Sequence, residues 1–187
     1  MFIYEIIVVL AILAMDIGSK YWVCSALGVV NRVQTLDDIS VIKHIISFSY
    51  SENTGASWGL FKDRAGMLAV ATAIAMVALV VFLFFSKKES KFFRICLVMI
   101  LAGGLGNLYD RIVFGYVRDF IYTEFINFPT YNLADCFLTV STVMLCVYAM
   151  FFMSGDKSPD SGKDEASPPA YPSDANGNLL GKNDSDK

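Results

Sequence analysis

Residues 103–135 read GGLGNLYDRIVFGYVRDFIYTEFINFPTYNLAD, and the rest of the chain is read outward from them. The stretch leaves one apolar run, makes a short excursion, and enters the next apolar run on Asp135. It carries Asp110, Arg111, Arg118, Asp119, Glu124 and Asp135, with Asn107, Asn127 and Asn132 among them. Beside lipid such groups persist only where partners stabilise them, so their concentration marks a candidate site. Asp119 lies between Tyr116-Val117-Arg118 and Phe120-Ile121-Tyr122, an apolar setting for a carboxylate. Asp135 falls in the first turn of a helix, where the dipole favours negative charge. Two carboxylates brought close cannot both ionise easily: one keeps a proton near neutral pH and the other can act as base. That division suits hydrolysis of a peptide bond, which needs one group to activate water and one to protonate the leaving amine. Asn and Arg donors nearby suit a carbonyl and its developing oxyanion. Spacing alone leaves this open. The two aspartates stand sixteen positions apart, and a turn residue at 119 with a helix cap at 135 fits equally well. Asp110-Arg111 likewise reads as a helix-end pair.

On either side lie apolar runs. The chain has 187 residues, 55% of them hydrophobic, with mean hydropathy +0.51, more apolar than a soluble domain of this length. Residues 92–109 form a span ending in Gly103, Gly104 and Gly106, which allow close helix approach. Asn107 and Arg111, four apart, share a face, with Asp110 near it. Residues 132–153 form the last span, opened by Asn132 and Asp135. Residues 65–85 carry no charge, and at about 1.5 Å per residue they cross roughly 30 Å of hydrocarbon. Residues 2–22 form the first span. Glu5 at its start, and no small-x-small site after it, argue against a cleaved signal peptide. Asp16 and Lys20 sit four apart on one face of this span, with Ser19 beside them. They fit a helix-end ion pair with a snorkelling lysine, or support for a site. Lys87, Lys88, Lys91 and Arg94 oppose only Glu89 in residues 86–94, a short basic loop of the kind that stays cytoplasmic. Both termini are then expected in the cytoplasm, and residues 21–63 and 113–131 outside.

Residues 21–63 are too long for a bare connector. Ile46, Phe48 and Tyr50 alternate with Ser47, Ser49 and Ser51, so a strand with one face on an apolar surface is predicted, within a small sheet on the membrane surface. It runs into the turn signal Asn53-Thr54-Gly55, where Asn53 by itself need do no more than make the turn. Residues 56–61 add small residues and interfacial aromatics. From Gly155 the composition becomes polar and loses its apolar period, predicting a membrane domain at 1–154 and a disordered cytoplasmic tail at 155–187. A net charge of −3 without a basic stripe argues against nucleic acid. Cys24, Cys96, Cys136 and Cys146 have no metal-ligand spacing and read as apolar fillers. The single His44 leaves a His-based metal site or a Ser-His triad hard to build.

The sequence resembles the bacterial lipoprotein signal peptidase family, or type II signal peptidases, over residues 16–141. The resemblance rests on Asp16-Ile17-Gly18-Ser19-Lys20, Asn53-Thr54-Gly55-Ala56-Ser57-Trp58-Gly59, Gly103-Gly104-Leu105-Gly106-Asn107-Leu108-Tyr109-Asp110-Arg111, Val117-Arg118-Asp119-Phe120 and Tyr131-Asn132-Leu133-Ala134-Asp135. Ile17, Tyr131 and Ser141 stand where glutamine, phenylalanine and glycine are common. The resemblance implies four transmembrane helices, a small extracytoplasmic β-sheet cradle and a short amphipathic surface helix. It implies an aspartyl protease of the inner membrane, working as a monomer without metal or cofactor. Diacylglyceryl-modified prolipoproteins would be its substrates and globomycin its inhibitor. Asp119 and Asp135 match the catalytic pair, Asn53, Asn107, Arg111 and Asn132 its support and substrate contacts, and Asp16 and Lys20 a structural pair. The competing expectation is an ion- or proton-coupled transporter, because intramembrane Asp and Lys also mark ion paths. No inverted repeat or pair of broken helices supports that expectation.

Overall fold

The computed structural model describes residues 1–55, 61, 64–126 and 128–153. The proposed tail at 155–187 and the small and aromatic residues at 56–60 lie outside them. Among the described residues four helices are long and apolar enough to cross a membrane: α1 Ile3–Ala26, α2 Ala65–Phe85, α3 Lys91–Val113 and α4 Leu133–Tyr148 taken with its continuation to Phe151. A π turn, Ala149–Met153, continues α4. Strands β1 Ile39–Ile42, β2 Ile46–Asn53 and β3 Val117–Thr123 form one antiparallel sheet in the order β1-β2-β3. The short amphipathic helix expected from the resemblance is not among the described elements.

Helix α3 is the hub. In its most apolar stretch 61% of residues are buried, against 28% in α1 and 11% in each of α2 and α4. The reason is in its sequence: small residues let neighbours come close. A Cβ on Gly103 would lie 2.7 Å from the Ala134 carbonyl oxygen, and one on Gly106 would meet the Asp16 carboxylate. Only glycine admits both α4 and the Asp16 side chain at these points. Halfway along the bundle lies an apolar cluster of Val9, Ile12, Met76, Leu97, Val98, Leu101 and Ala102.

Helix α3 also runs one turn further than the sequence reading placed it, to Val113, and carries Asp110 and Arg111 with it. The expected Asp110–Arg111 pair is not formed. Neighbouring helix positions point about 100° apart, and here they serve different partners. Arg94 departs from expectation too. It is 1% exposed, and its guanidinium donates to both Glu5 oxygens at 2.7 and 3.0 Å and to the carbonyls of Leu83 and Ser86 at 2.9 and 2.6 Å. The exposed cations of that loop are therefore Lys87, Lys88 and Lys91.

The sheet docks on the end of α1. Phe48, Tyr50, Phe120, Ile121 and Ile39 pack with Val23, Leu27 and Val29, so the apolar face of β2 meets protein. The β2–β3 register contains one shift. Phe48 pairs with Ile121, but Ser51 pairs with Asp119, three steps on one strand against two on the other. Side chains alternate faces along a strand, so this extra residue changes the face that follows it. Asn53, opposite Val117, is thereby carried to the face that bears Asp119.

Candidate active site

Asp119 lies mid-strand in β3, not in the turn that its spacing also allows. The signal was present in Val117-Arg118-Asp119-Phe120-Ile121-Tyr122-Thr123, which is rich in β-branched and aromatic residues. Asp135 is the third residue of α4. Asn132 is its N-cap: its Oδ1 accepts the Asp135 N–H at 3.1 Å, and Asp135 Oδ2 accepts the Asn132 N–H at 3.3 Å. This reciprocal cap satisfies backbone donors that a helix start otherwise leaves open. The cap reading of Asp135 and the site reading therefore describe the same geometry.

The two aspartates meet through amides. Asn132 Nδ2 donates to Asp119 Oδ1 at 2.6 Å and to Asn107 Oδ1 at 3.0 Å. Asn107 Nδ2 donates to Asp135 Oδ1 at 2.7 Å, and Asn53 Nδ2 donates to Asp119 Oδ2 at 3.0 Å. Donor and acceptor directions in this chain are forced. A backbone N–H can only donate, so the Asn132 oxygen faces Asp135 and its NH2 faces Asp119 and Asn107. Lys20 Nζ, also donor-only, reaches Asn107 Oδ1 at 3.3 Å. Both contacts hold the Asn107 oxygen away from Asp135 and its NH2 toward it.

Beneath this layer sits a second, wholly buried one. Lys20 bonds Asp16 Oδ2 at 2.8 Å and lies 3.4 Å from Asp110 Oδ2, all three side chains at 0% exposure. Snorkelling is thus replaced by complete burial between α1 and α3. The other Asp16 oxygen accepts the Ala134 N–H at 2.9 Å, tying α1 to the start of α4. Asp110 takes the Arg118 backbone N–H at 2.9 Å and its Nη2 at 2.8 Å. The Arg118 guanidinium lies 4.3 Å from the ring centroids of Tyr21 and Phe114, contacts in which a ring face attracts the cation. This layer fixes the entry of β3, and so the position of Asp119 one residue later. Sequence reasoning missed Arg118 as the partner of Asp110, since the pairing depends on the return of β3.

A cavity of about 710 Å³ opens on Asp135, lined by Asn53, Asn107, Arg111 and Asp135 at its polar end and by Thr72, Leu138, Thr139 and Val140 of α2 and α4 along its flank; Asp119 does not line it and is joined to its wall through the Asn53 amide. Asn107 and Arg111 do share a face, as their spacing predicts. Arg111 donates to the carbonyls of Asn107 and Gly55 at 3.4 and 3.3 Å, while its Nε is buried without a partner among the described residues. Asp119 is 1% exposed. Burial, and next the negative charge of Asp135, push its carboxyl up to about 7, against the hydrogen bonds from Asn53 and Asn132. A carboxylic acid that keeps its proton near neutral pH thus adjoins a second carboxyl at the wall of a cavity.

Residues 8–152 match the model of the family described as signal peptidase (SPase) II. A lipoprotein signal peptidase of Clostridium tetani is 37% identical over 147 residues, covering 77% of this chain and 90% of that protein. One from Lactococcus lactis is 36% identical, over 76% of this chain and 89% of its own. A solved structure described as a bacterial membrane enzyme superposes with a TM-score of 0.72 at 28% identity, covering 84% of this chain and 94% of that one. The four-helix bundle, the small antiparallel sheet and these relatives agree: the chain belongs to the signal peptidase II family.

Proposed function

We propose that this chain is an aspartic endopeptidase that removes the signal peptide from diacylglyceryl-modified prolipoproteins, cutting before the lipidated cysteine. The observation that carries the reading is the pair Asp119 and Asp135, joined through Asn132 and Asn107, with Asp135 at the wall of the cavity. Asp119, buried and held up to about 7, carries the shared proton. Asp135 stands at a helix start and lines the cavity, which suits the ionised partner. Asp135 takes a proton from water as the water oxygen attacks the scissile carbonyl carbon, and Asp119 gives its proton to the carbonyl oxygen. Asp135 then passes its proton to the amide nitrogen, the C–N bond breaks, and a hydroxyl of the tetrahedral carbon returns a proton to Asp119. One water is consumed and both groups are restored. The free Nε of Arg111 is the donor left for a substrate carbonyl. Asn53, Asn107 and Asn132 hold the two carboxyl groups in register, while Asp16 and Lys20 anchor α1 beneath them. Thr139 and Val140, on the exposed face of α4, border the cavity, so a substrate's acyl chains can stay in the bilayer while its peptide reaches the aspartates.

The protein is a multi-pass protein of the bacterial inner membrane. Lys87, Lys88 and Lys91 favour a cytoplasmic α2–α3 loop, which puts both termini inside and the aspartates at the extracytoplasmic face. A monomer suffices, since α1, β2, α3, β3 and α4 of one chain supply the network described. Nothing among the relatives supports the transporter reading. An apolar cluster, Val9, Ile12, Leu97, Val98 and Leu101 among it, lies between the polar network and the Glu5–Arg94 pair. Purified protein incubated with a lipidated precursor should release the signal peptide, and globomycin should stop it. No cleavage of any lipidated precursor by folded protein would reject the reading.

A further inference from the structure

At one end of the sheet, two loops from different parts of the chain meet. The β1–β2 hairpin turns at Lys43 and His44, the latter at φ 62°, and the turn after β3 comprises Glu124, Phe125 and Ile126. The Glu124 N–H donates to the Ile45 carbonyl at 2.9 Å, fastening one to the other. Around this joint stand Val41, Ile42, Ile45, Phe125 and Ile126, all well exposed, with Phe125 at 65%. None of these five belongs to the cluster that docks the sheet on α1. Exposed apolar groups gathered this way mark an interaction surface.

We infer that this joint is a membrane-seated lip: it inserts into the leaflet on the active-site side, at the boundary between headgroups and acyl chains. Continuity carries the choice of occupant. Ile126 lines the same cavity as Thr139 and Val140, which lie on the exposed face of an apolar span. The apolar surface therefore runs from the lipid-facing flank of α4, across the cavity mouth, to the hairpin tip. Charge distribution agrees. Lys43 and Glu124 are both exposed at the joint, of opposite sign, and able to reach headgroups over apolar neighbours that sit deeper. The lip would thus seat the mouth of the cavity at the leaflet whether or not substrate is bound, and it does so independently of the proposed cleavage reaction.

The test uses the full chain in phosphatidylcholine bilayers without substrate, with Trp22 and Trp58 replaced by Phe. Single reporters are introduced as Ile42→Trp, Phe125→Trp and, at the opposite end of β1, Asp37→Trp. The first two should emit in the blue, be quenched by lipid brominated near the headgroup end of its acyl chains, and resist aqueous iodide. The third should show the reverse. Iodide quenching of Ile42→Trp and Phe125→Trp without bromolipid quenching would put the lip in water and overturn the inference. Bromolipid quenching that appears only after a lipidated precursor is added would assign the surface to substrate and overturn it equally. As a second readout, Ile42→Asp with Phe125→Asp should raise KM severalfold for precursor in bilayers and leave kcat unchanged. Equal KM values for that variant and the parent in bilayers would count against the lip.

Discussion

Two ends of the same bundle bury charge in opposite ways. Away from the cavity, Glu5 and Arg94 are matched one to one, and the spare guanidinium N–H groups go to the carbonyls of Leu83 and Ser86. At the cavity end, among the described residues, Asp16, Asp110, Asp119 and Asp135 meet only Lys20 and Arg118 as ion-pair partners, and Asp16 and Asp110 take both. Arg111 contacts carbonyls instead. A matched pair stabilises the bundle and has no proton to give. An excess of carboxyl groups over cations, held by neutral amides, makes retention of a proton the cheapest way to bury the last charge. That difference separates a joint from the proposed reactive centre.

The comparison breaks most easily at the aspartates. Asp119→Asn or Asp135→Asn should lower kcat by about 10²–10⁴-fold, the range for losing a general acid or base, with cleavage of a lipidated precursor in detergent as the assay. Normal turnover by either variant would show that the excess charge is not the reactive one. Arg94→Ala should do the opposite. Leaving Glu5 buried and unpaired should cost about 3–5 kcal/mol of stability, read by thermal unfolding, while the folded fraction cleaves at the parental rate. The pH profile sharpens the same contrast. Asp119 needs its proton, so cleavage should fall as pH rises through about 7. Its folded value lies above its ordinary 3.8, so its stabilising contribution is complete below that value and gone above about 7. Asp119→Asn should therefore raise Tm relative to the parent more at pH 8 than at pH 4. Gly106→Ala, whose Cβ would meet the Asp16 carboxylate, should cost about 1–3 kcal/mol by overpacking and lower activity with it. The smallest effect belongs to the exposed ion pair of Arg32 with Glu52. Arg32→Ala should leave both Tm and kcat at the parental values, as expected for a solvated surface pair.

What could be read in advance followed from local rules. Ala65–Phe85 was legible to the residue, because an uncharged run of bilayer length has one stable conformation in lipid. The glycines of α3, the shared face of Asn107 and Arg111, and Asp135 in the first turn of α4 follow from helical periodicity in the same way. The catalytic candidates were identifiable by residue type and by resemblance. So were Asn53, Asn107 and Asn132 around them; which group bonds which was not, because α1, β2, α3, β3 and α4 supply them from far apart in sequence. Arg94 was counted as a loop cation because nothing near it in sequence announces Glu5, 89 residues away.

The amino-acid order alone determined that this is a four-span chain with its acids concentrated at one end, since hydrophobic length and helical period are properties of neighbouring residues. Tertiary structure alone decided that β3 returns beside β2, that a one-residue register shift turns Asn53 to the face of Asp119, and that Asp110 takes Arg118 while leaving Arg111 to the cavity. Those outcomes depend on which distant groups desolvate each other. A buried charge takes whatever partner the packing delivers, whatever residue happens to stand beside it in the chain.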